Sequence, residues 1–254
     1  VPTPNFFGDA GNFTFRAWDK KTATSGTSAL GAGTKVSTAI NGGESEFSAA
    51  TDKVDITVTS INDAPVLSTS GGKLTGGGSN AFGTAEFSAI DEDEPDVSNT
   101  GNAVSSFLNA AAATDVELGA GNQGGTISGT FATGVAITSV DNTNGEWQFS
   151  TDGGTTFTDF DAGGGVSASS SLLLDGGNPL HRVRFVPNDN FNTSASGPVQ
   201  IKYRAWDGSD SSAADGSAVV NTATNGGSSA FSLGEVTKGI TVTPVNDQPR
   251  SNLQ

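Results

Sequence analysis

The segment that decides the fold spans residues 199–207 and reads VQIKYRAWD. Val199, Ile201 and Tyr203 alternate with polar residues, and this period of two is typical of a strand with one buried face. The same alternation returns over residues 54–58. Clusters of Gly, Asn, Asp and Ser separate such segments along the chain. The sequence therefore predicts an all-β protein, whose many short strands and glycine-rich turns favour a β-sandwich.

The end of this segment belongs to an internal repeat. FRAWD at residues 15–19 returns as YRAWD at residues 203–207, at an offset of 188. Other segments match at an offset of 184: NGG at 41–43 and 225–227, Phe-Ser at 47–48 and 231–232, ITVT at 56–59 and 240–243, and NDAP at 62–65 with NDQP at 246–249. A period of this length is typical of a tandem array of whole domains.

The repeat sets the expected domain boundaries. We expect residues 1–63 to be the C-terminal part of one repeat and residues 64–247 to be a complete repeat. Residues 248–254 are expected to form the linker into a third. The chain would then begin inside a domain and be an excerpt of a longer array.

Two local elements are predicted within the complete repeat. Residues 146–157 predict a hairpin, and residues 150–157, STDGGTTF, match a Ser-x-Asp-x-Gly-x-Thr-aromatic box found in many β proteins. In that box the Ser and Asp side chains bond turn amides, and the aromatic residue fills the core. Residues 104–113 are predicted as a short helix.

Composition excludes several classes of protein. The chain has no cysteine, so it has no disulfide and no thiolate nucleophile or metal ligand. Its one histidine, His181, excludes a multi-histidine metal centre and is expected at the surface. A formal net charge of −15 argues against nucleic-acid binding. No apolar run is long enough to span a membrane. No nucleophile–base pair is evident, so we expect no catalytic residues and no enzyme activity.

The negative charge is concentrated in one part of the chain. Residues 65–180 contain 14 acidic residues and one basic residue, a formal charge of −13. The densest run is DEDEPD at residues 91–96. Such a density of like charge destabilises a compact state. Calcium, which prefers carboxylate and carbonyl oxygens, would relieve the repulsion.

Short motifs are spread over nearly the whole chain. They are GVAI at 134–137, VDNTNGEWQFSTDGG at 140–154, SLLL at 171–174, RFVPN at 184–188, RAWD at 204–207, NGG at 225–227 and VNDQP at 245–249. Together they resemble the cadherin-like repeats of giant, RTX-type bacterial surface adhesins. The resemblance implies tandem, elongated Ig-like or cadherin-like β-sandwich domains. It also implies a calcium-stiffened extender segment outside the cell, at the bacterial surface, that serves adhesion and biofilm attachment beside neighbouring repeats.

The resemblance further implies a set of calcium ligands. The Asn-Asp pairs at 62–63 and 246–247 are similar to the inter-domain linker motif of cadherins, where acids from both flanking domains complete the coordination. The acidic residues that follow the first linker and those that end the RAWD motifs are the candidates for that role. The implied ligands are Asn62, Asp63, Glu86, Asp91, Asp93, Asp19, Asp207, Asn246 and Asp247.

Two other functions remain open. Residues 1–63 cannot close a sandwich alone, and strands from a neighbouring subunit would complete them in a self-assembling filament or surface layer. Alternatively, Trp18, Trp147 and Trp206 would stack on cell-surface glycans in a carbohydrate-binding module, although tryptophans on alternating strands are more often core residues.

Overall fold

The structure is a computed structural model of the 254-residue chain. It describes residues 1–2, 6–22, 26–27, 33, 35–67, 87–107, 113–114 and 134–248. Strands account for 38% of these described residues and helix for 2%, which confirms the prediction of an all-β protein. The chain divides into two compact units, Val1–Ser60 and Ile61–Gln254, called unit 1 and unit 2 below.

Unit 1 contains two small antiparallel sheets among its described residues. Strand β1 (Gly8–Phe15) pairs with β4 (Asp52–Val58), and β2 (Lys21–Thr22) pairs with β3 (Gly26–Thr27). The register between β1 and β4 shifts at a bulge near Gly11, whose positive φ of 88° suits a residue without a Cβ.

Unit 2 contains thirteen strands and one short helix among its described residues. In chain order they are β5 (Val66–Leu67), β6 (Ile90–Asp91), β7 (Asn102–Ala103), α1 (Val104–Phe107), β8 (Ala113–Thr114), β9 (Gly134–Val140), β10 (Gly145–Ser150), β11 (Thr158–Asp159), β12 (Ser171–Asp175), β13 (Arg182–Pro187), β14 (Val199–Trp206), β15 (Asp215–Val220), β16 (Val236–Ile240) and β17 (Val242–Thr243).

Two antiparallel sheets of unit 2 share one apolar core. The first has five strands in the order β15-β12-β9-β14-β16, and the second has four in the order β11-β10-β13-β7. Ile137 and Tyr203 of the first sheet lie in one buried cluster with Trp147 and Phe185 of the second. The ring centroids of Trp147 and Phe185 are 5.3 Å apart in a tilted arrangement. The two sheets therefore pack face to face in the manner of a β-sandwich.

The outer face of the five-stranded sheet carries a second, smaller cluster. Leu173 and Trp206 pack there with Phe231, which comes from the segment after β15. Leu172 and Leu174 belong instead to the main core, because neighbouring residues of a strand point to opposite faces. Strand β12 is thus buried on both faces, which explains its unbroken run of leucines.

Two further pairings in unit 2 involve strands of two residues each. Strand β6 runs parallel to β17, and β5 pairs antiparallel with β8. The predicted hairpin is present as β10 and β11, although β11 begins only at Thr158. Helix α1 covers Val104–Phe107, and the rest of the predicted helix, residues 108–112, lies outside the described residues.

Two predictions about burial are wrong. His181 is buried and not at the surface: its Nδ1 accepts a 2.9 Å hydrogen bond from the backbone N–H of Asp175. Phe157 does not fill the core, because the Arg184 guanidinium stacks on its half-buried ring at 3.8 Å. Phe160, three residues later, occupies the core in its place.

The two units share the register of one strand pair. Phe15 lies opposite Asp52 in unit 1, as Tyr203 lies opposite Val236 in unit 2. The next three residue pairs follow in step at the sequence offsets of 188 and 184. Strands β1 and β4 therefore correspond to β14 and β16, residue for residue, over this stretch.

Candidate metal sites

A loop with the same hydrogen bonds follows β1 and β14. A bridge joins Trp18 to Phe47 in unit 1, and an equivalent bridge joins Trp206 to Phe231 in unit 2. The next backbone N–H, that of Asp19 or Asp207, donates a 3.1 Å hydrogen bond to the carbonyl of the residue before the phenylalanine. The repeated motif thus holds both candidate aspartates at the same point of the same loop.

Each loop is further fixed by one arginine and one serine. Arg204 Nη1 donates to the carbonyl of Ser232 at 3.1 Å, as Arg16 Nη1 donates to that of Ser48 at 2.8 Å. The hydroxyl of Ser232 or Ser48 accepts a 3.0 Å bond from the backbone N–H that follows the arginine. In the NGG motif, the backbone N–H of Gly42 or Gly226 donates a 2.8 Å bond to the carbonyl of the same phenylalanine. Three motifs that are separated in the sequence, RAWD, NGG and Phe-Ser, therefore form one structure.

Asn62 and Asp207 lie together in unit 2. Asn62 Nδ2 donates to Asp207 Oδ2 at 3.1 Å and to the carbonyl of Ser229 at 3.2 Å. The other carboxylate oxygen of Asp207, which is buried, accepts a 2.8 Å bond from the Ser209 N–H. The backbone N–H of Ala64 donates to Gly227 at 2.7 Å, so the NDAP segment lies along this loop. Half-buried Asp63 lies between these two anchored residues.

Asp210 is a carboxylate of this region that sequence reasoning missed. Its Oδ1 accepts a 2.9 Å hydrogen bond from the indole N–H of Trp206. In unit 1 the indole N–H of Trp18 donates to Glu46 at 3.0 Å. The indole thus binds a carboxylate in both units, but the carboxylate comes from a different position of the repeat. Because the carboxylate changes place between the two units, no alignment of the repeat identifies it.

A second acidic group surrounds the pairing of β6 with β17. The Asp91 carboxylate accepts a hydrogen bond from the Thr243 hydroxyl. The Glu92 side chain, which is buried, accepts a 2.8 Å bond from the Val245 N–H and a 2.9 Å bond from Asn192 Nδ2. Sequence reasoning selected Asp91 and Asp93 and missed Glu92, whose burial has no signature within a run of acids.

The remaining candidates near this group are exposed. Asp93 follows Glu92 at the surface, and Asn246 and Asp247 follow Val245 at the surface. Hydrogen bonds to Thr243 and Val245 thus tie the acidic loop to the chain immediately before the second Asn-Asp pair. The structure brings this loop beside residues 246–247.

The two acidic groups are separated by the length of a strand. Asp207 follows the last residue of β14, whereas Val242 and Thr243 lie beyond Ile240, which pairs with the first residue of β14. At about 3.3 Å per residue, an eight-residue strand spans roughly 25 Å. Within unit 2, therefore, the structure does not bring Asn62 and Asp63 to Asp91 and Asp93.

The other candidate residues are placed as follows. Asp19 is exposed in unit 1, and Glu86 lies outside the described residues. In the part of the chain that the structure describes, no group of three or more His, Cys, Asp or Glu side chains is arranged to hold a metal ion.

Arg184 anchors the acidic loop to the four-stranded sheet. Its guanidinium is buried and donates to the backbone carbonyls of Asp96 and Asn99 at 2.9 and 3.1 Å, and to Gln148 Oε1 at 2.7 Å. Asn99 in turn donates to the Phe185 carbonyl at 2.7 Å. The acidic segment therefore has a defined position on the sandwich.

The Ser-Asp box forms the predicted turn. Asp152 accepts hydrogen bonds from the backbone N–H groups of Thr155 and Thr156 at 3.0 and 2.9 Å, and Ser150 donates to it at 2.8 Å. These bonds, with that to Thr156 first, hold the pKa of Asp152 well below its usual value. All of the hydrogen bonds described for the Asp152 carboxylate come from residues of its own turn.

The tryptophans are unsuited to stacking on sugars. Trp147 and Trp206 are buried, and Trp18 is half-buried. A sugar-stacking platform needs an exposed aromatic face, so the geometry gives the carbohydrate-binding alternative no support.

Comparisons with known proteins returned no match, whether against protein-family models, curated proteins or solved structures. Among the described residues, no helix has the length and apolar character needed to cross a membrane.

Proposed function

We propose that this chain is a calcium-stiffened structural extender of a bacterial cell-surface adhesin or extracellular fibre, built from tandem Ig-like, cadherin-like domains and without enzyme activity. The observation that carries the proposal is the repeated strand register and loop of the two units, combined with acidic groups at both ends of the sandwich. An array of such domains acts by its length and stiffness.

The group at Asn62 supports a cation site at the first end. An Asp207 carboxylate oxygen and the Ser229 carbonyl both point at the Asn62 amide, at 3.1 and 3.2 Å. These two oxygens lie close together, and carboxylate and carbonyl oxygens are the ligands that calcium prefers. Bound calcium would take these oxygens as ligands.

The residues at the other end of the sandwich support a second cation site, which would form the other half of a junction between domains. Asn246 and Asp247 are the repeat equivalents of Asn62 and Asp63, and they follow the segment bound by Asp91 and Glu92. In a tandem array, the acidic loop of one domain would thus meet the Asp207-type loop of the next. Ions shared between them would cross-link consecutive domains and restrict bending.

The proposal is tested in calcium, magnesium or EDTA by thermal melting of the full chain, and by small-angle scattering of a chain that carries a second copy of residues 64–247 after Asp247 and so contains a complete junction. Extracellular calcium modules bind with Kd of about 10⁻⁴ to 10⁻³ M. At about ten to a hundred times Kd, each site adds roughly 1.4 to 2.7 kcal/mol to the free energy of unfolding. Magnesium should substitute poorly, because it demands a tight octahedral shell and retains its waters.

Variants assign the effect to the two ends. Asp207→Asn should reduce the calcium response at the first end, and Asp91→Asn combined with Asp93→Asn should reduce it at the second. Asp159→Asn, at an exposed position of β11, is the matched control and should leave the response intact. Identical melting temperatures and maximum dimensions in all three solutions would refute calcium stiffening.

A further inference from the structure

One face of the β1–β4 sheet is apolar and exposed. Phe13 and Phe15 of β1 alternate with polar residues, as do Val54 and Ile56 of β4, and Phe13 lies opposite Val54. The exposed fractions of these four side chains are 62%, 38%, 55% and 49%. The rings of Phe13 and Phe15 stack with centroids 6.2 Å apart. A contiguous apolar patch of this kind is typical of an interaction site.

The equivalent face of unit 2 is fully covered. The sequence offsets of 188 and 184 make Ile201, Tyr203, Lys238 and Ile240 the counterparts of the four exposed residues, and the shared register confirms this for the first three. Their exposed fractions lie between 0% and 6%. Three of them belong to the main core cluster, which also contains Trp147 and Phe149 of β10.

The sheet edge differs between the units in the same way. In unit 2, β14 lies between β16 and β9, with Tyr203 opposite Ile137. In the described part of unit 1, β1 forms a two-stranded sheet with β4. Among the described residues, no strand pairs with the edge of β1 that corresponds to the β9 side of β14.

We propose that β1 and its apolar face form an acceptor site for a strand pair of the β9–β10 type, supplied by a preceding repeat segment of the same polypeptide. The first strand adds antiparallel to β1 in the β9 register, and places an Ile137-type residue opposite Phe15. The second covers Phe13 and Phe15 with Trp147-type and Phe149-type side chains. Strand addition combines backbone hydrogen bonds with side-chain pockets, so it selects for this alternating pattern. This inference rests on the tandem array proposed above.

A second copy of the chain is a poorer occupant. In a folded copy, β9 pairs with β12 on one side and β14 on the other, and Trp147 is buried in the core. A copy would have to open its own sandwich to offer either strand. In the repeat to which β1 and β4 belong, the strands equivalent to β9 and β10 have no other partner in the place of β14. They can therefore pair with β1 without opening a folded sandwich.

The test adds a synthetic peptide with the sequence of residues 134–150 to the full chain. We expect the peptide to slow amide hydrogen exchange at least about tenfold over residues 8–15 and to reduce the fluorescence of a dye bound to the apolar face. A peptide with proline at the position of Ala136 is the control, because this residue lies opposite Arg204, whose backbone groups face β9, and proline lacks the N–H needed for that ladder. In a second form of the experiment, the unmodified peptide is fused ahead of Val1 by a flexible linker. The linker raises the effective concentration of the peptide at β1 to about the millimolar range.

Variants of the full chain define the site. Phe13→Asp should abolish protection by the peptide, whereas Thr14→Asp, on the opposite face of the same strand, should preserve it. Exchange over residues 52–58 without peptide shows whether each variant keeps the β1–β4 pairing. The inference is overturned if neither the added nor the fused peptide protects residues 8–15, or if protection is confined to unit 2. A dimer that forms without peptide and is lost in Phe13→Asp would assign the face to a second copy instead.

The outcome is separable from that of the calcium proposal. Strand addition depends on backbone and apolar contacts, so the peptide should protect β1 equally in calcium and in EDTA. A chain that accepts the peptide but does not respond to calcium would keep the acceptor site and refute calcium stiffening. The converse result would refute the acceptor site alone.

Discussion

His181 shows how burial sets the protonation state of one residue. Its buried Nδ1 accepts a hydrogen bond from the Asp175 N–H, which requires that this nitrogen carry no proton. Burial lowers the pKa of His181 below its ordinary 6.5, although the charges of Asp175 and Asp215 act in the opposite direction. The imidazole is therefore a neutral part of the core.

This burial predicts a pH dependence of stability. Because the folded pKa is depressed, the unfolded chain takes up the proton first as the pH falls. The contribution of His181 is complete above about pH 6.5 and is lost as the pH falls through the folded pKa. His181→Asn keeps an acceptor that does not titrate, so we expect a flatter unfolding free energy between about pH 7 and 5. Chemical denaturation across this range is the measurement, and equal slopes would contradict the prediction.

Asp152 predicts a loss of stability at lower pH. Its turn hydrogen bonds depress the folded pKa, so its contribution is present above the unfolded value of 3.8 and is lost as the pH falls below it. Asp152→Ala should therefore lower the melting temperature at neutral pH and have a smaller effect in acid. Asp159→Asn on the neighbouring strand is the control and should have little effect at either pH. The calcium response should remain unchanged in both variants.

At the level of elements, the repeated loop allows one interaction to be compared in two settings. Ser232 and Ser48 make the same two hydrogen bonds, each donating to a carbonyl at 2.7 Å and accepting from an N–H at 3.0 Å. Ser232 is fully buried, whereas Ser48 is half-buried. Burial alone separates the two serines, because water can replace a lost partner only at an accessible group.

We expect the buried serine to be the more costly one to remove. Ser232→Ala leaves the Ala205 N–H without a partner and away from water, which costs about 1–3 kcal/mol. Ser48→Ala leaves the Ala17 N–H exposed, so the cost should stay below about 1 kcal/mol. Amide hydrogen exchange at residue 205 measures the cost of Ser232→Ala in unit 2, and exchange at residue 17 measures the cost of Ser48→Ala in unit 1. Equal costs would show that the loop of unit 1 is buried in solution.

The sequence predicts elements well where one face of a strand is buried. The alternation of Val199, Ile201 and Tyr203 predicted β14, and the repeated NGG and Phe-Ser segments prove to belong to one hydrogen-bonded loop. Composition could not show that Glu92 is buried while Asp93 is exposed, because both belong to one acidic run. It also could not show that Phe160 and not Phe157 fills the core, since this depends on how the turn places Arg184.

The order of strands limited what the sequence could say about the sites. Asn62 and Asp91 are close in sequence, and a shared junction was the simplest expectation. The structure separates them because Asn62 reaches Asp207 at one end of β14, whereas Asp91 reaches Thr243 beyond the other end. Contacts across 145 and 152 residues depend on topology, which local patterns do not encode.

For the whole molecule, the uneven charge is the dominant electrostatic feature. The formal charge of −13 over residues 65–180 lies within unit 2, where Arg184 offers a buried cation to the acidic loop. Two effects of salt should therefore act together. Screening weakens repulsion among all of the carboxylates, whereas calcium binding acts at specific oxygens.

These two effects predict different ion dependences. Sodium chloride in EDTA should raise the melting temperature gradually, because about 0.1 M salt shortens the screening length to about 10 Å. Millimolar calcium should add a further increment that sodium at equal ionic strength does not reproduce. Asp161→Asn removes one exposed charge outside both candidate sites, while the asparagine oxygen can still accept the hydrogen bond from Asn142. This variant should gain about 0.2–1 kcal/mol in low salt and keep the full calcium increment. If sodium alone reproduces the calcium effect, diffuse screening and not site binding governs the stability of the chain.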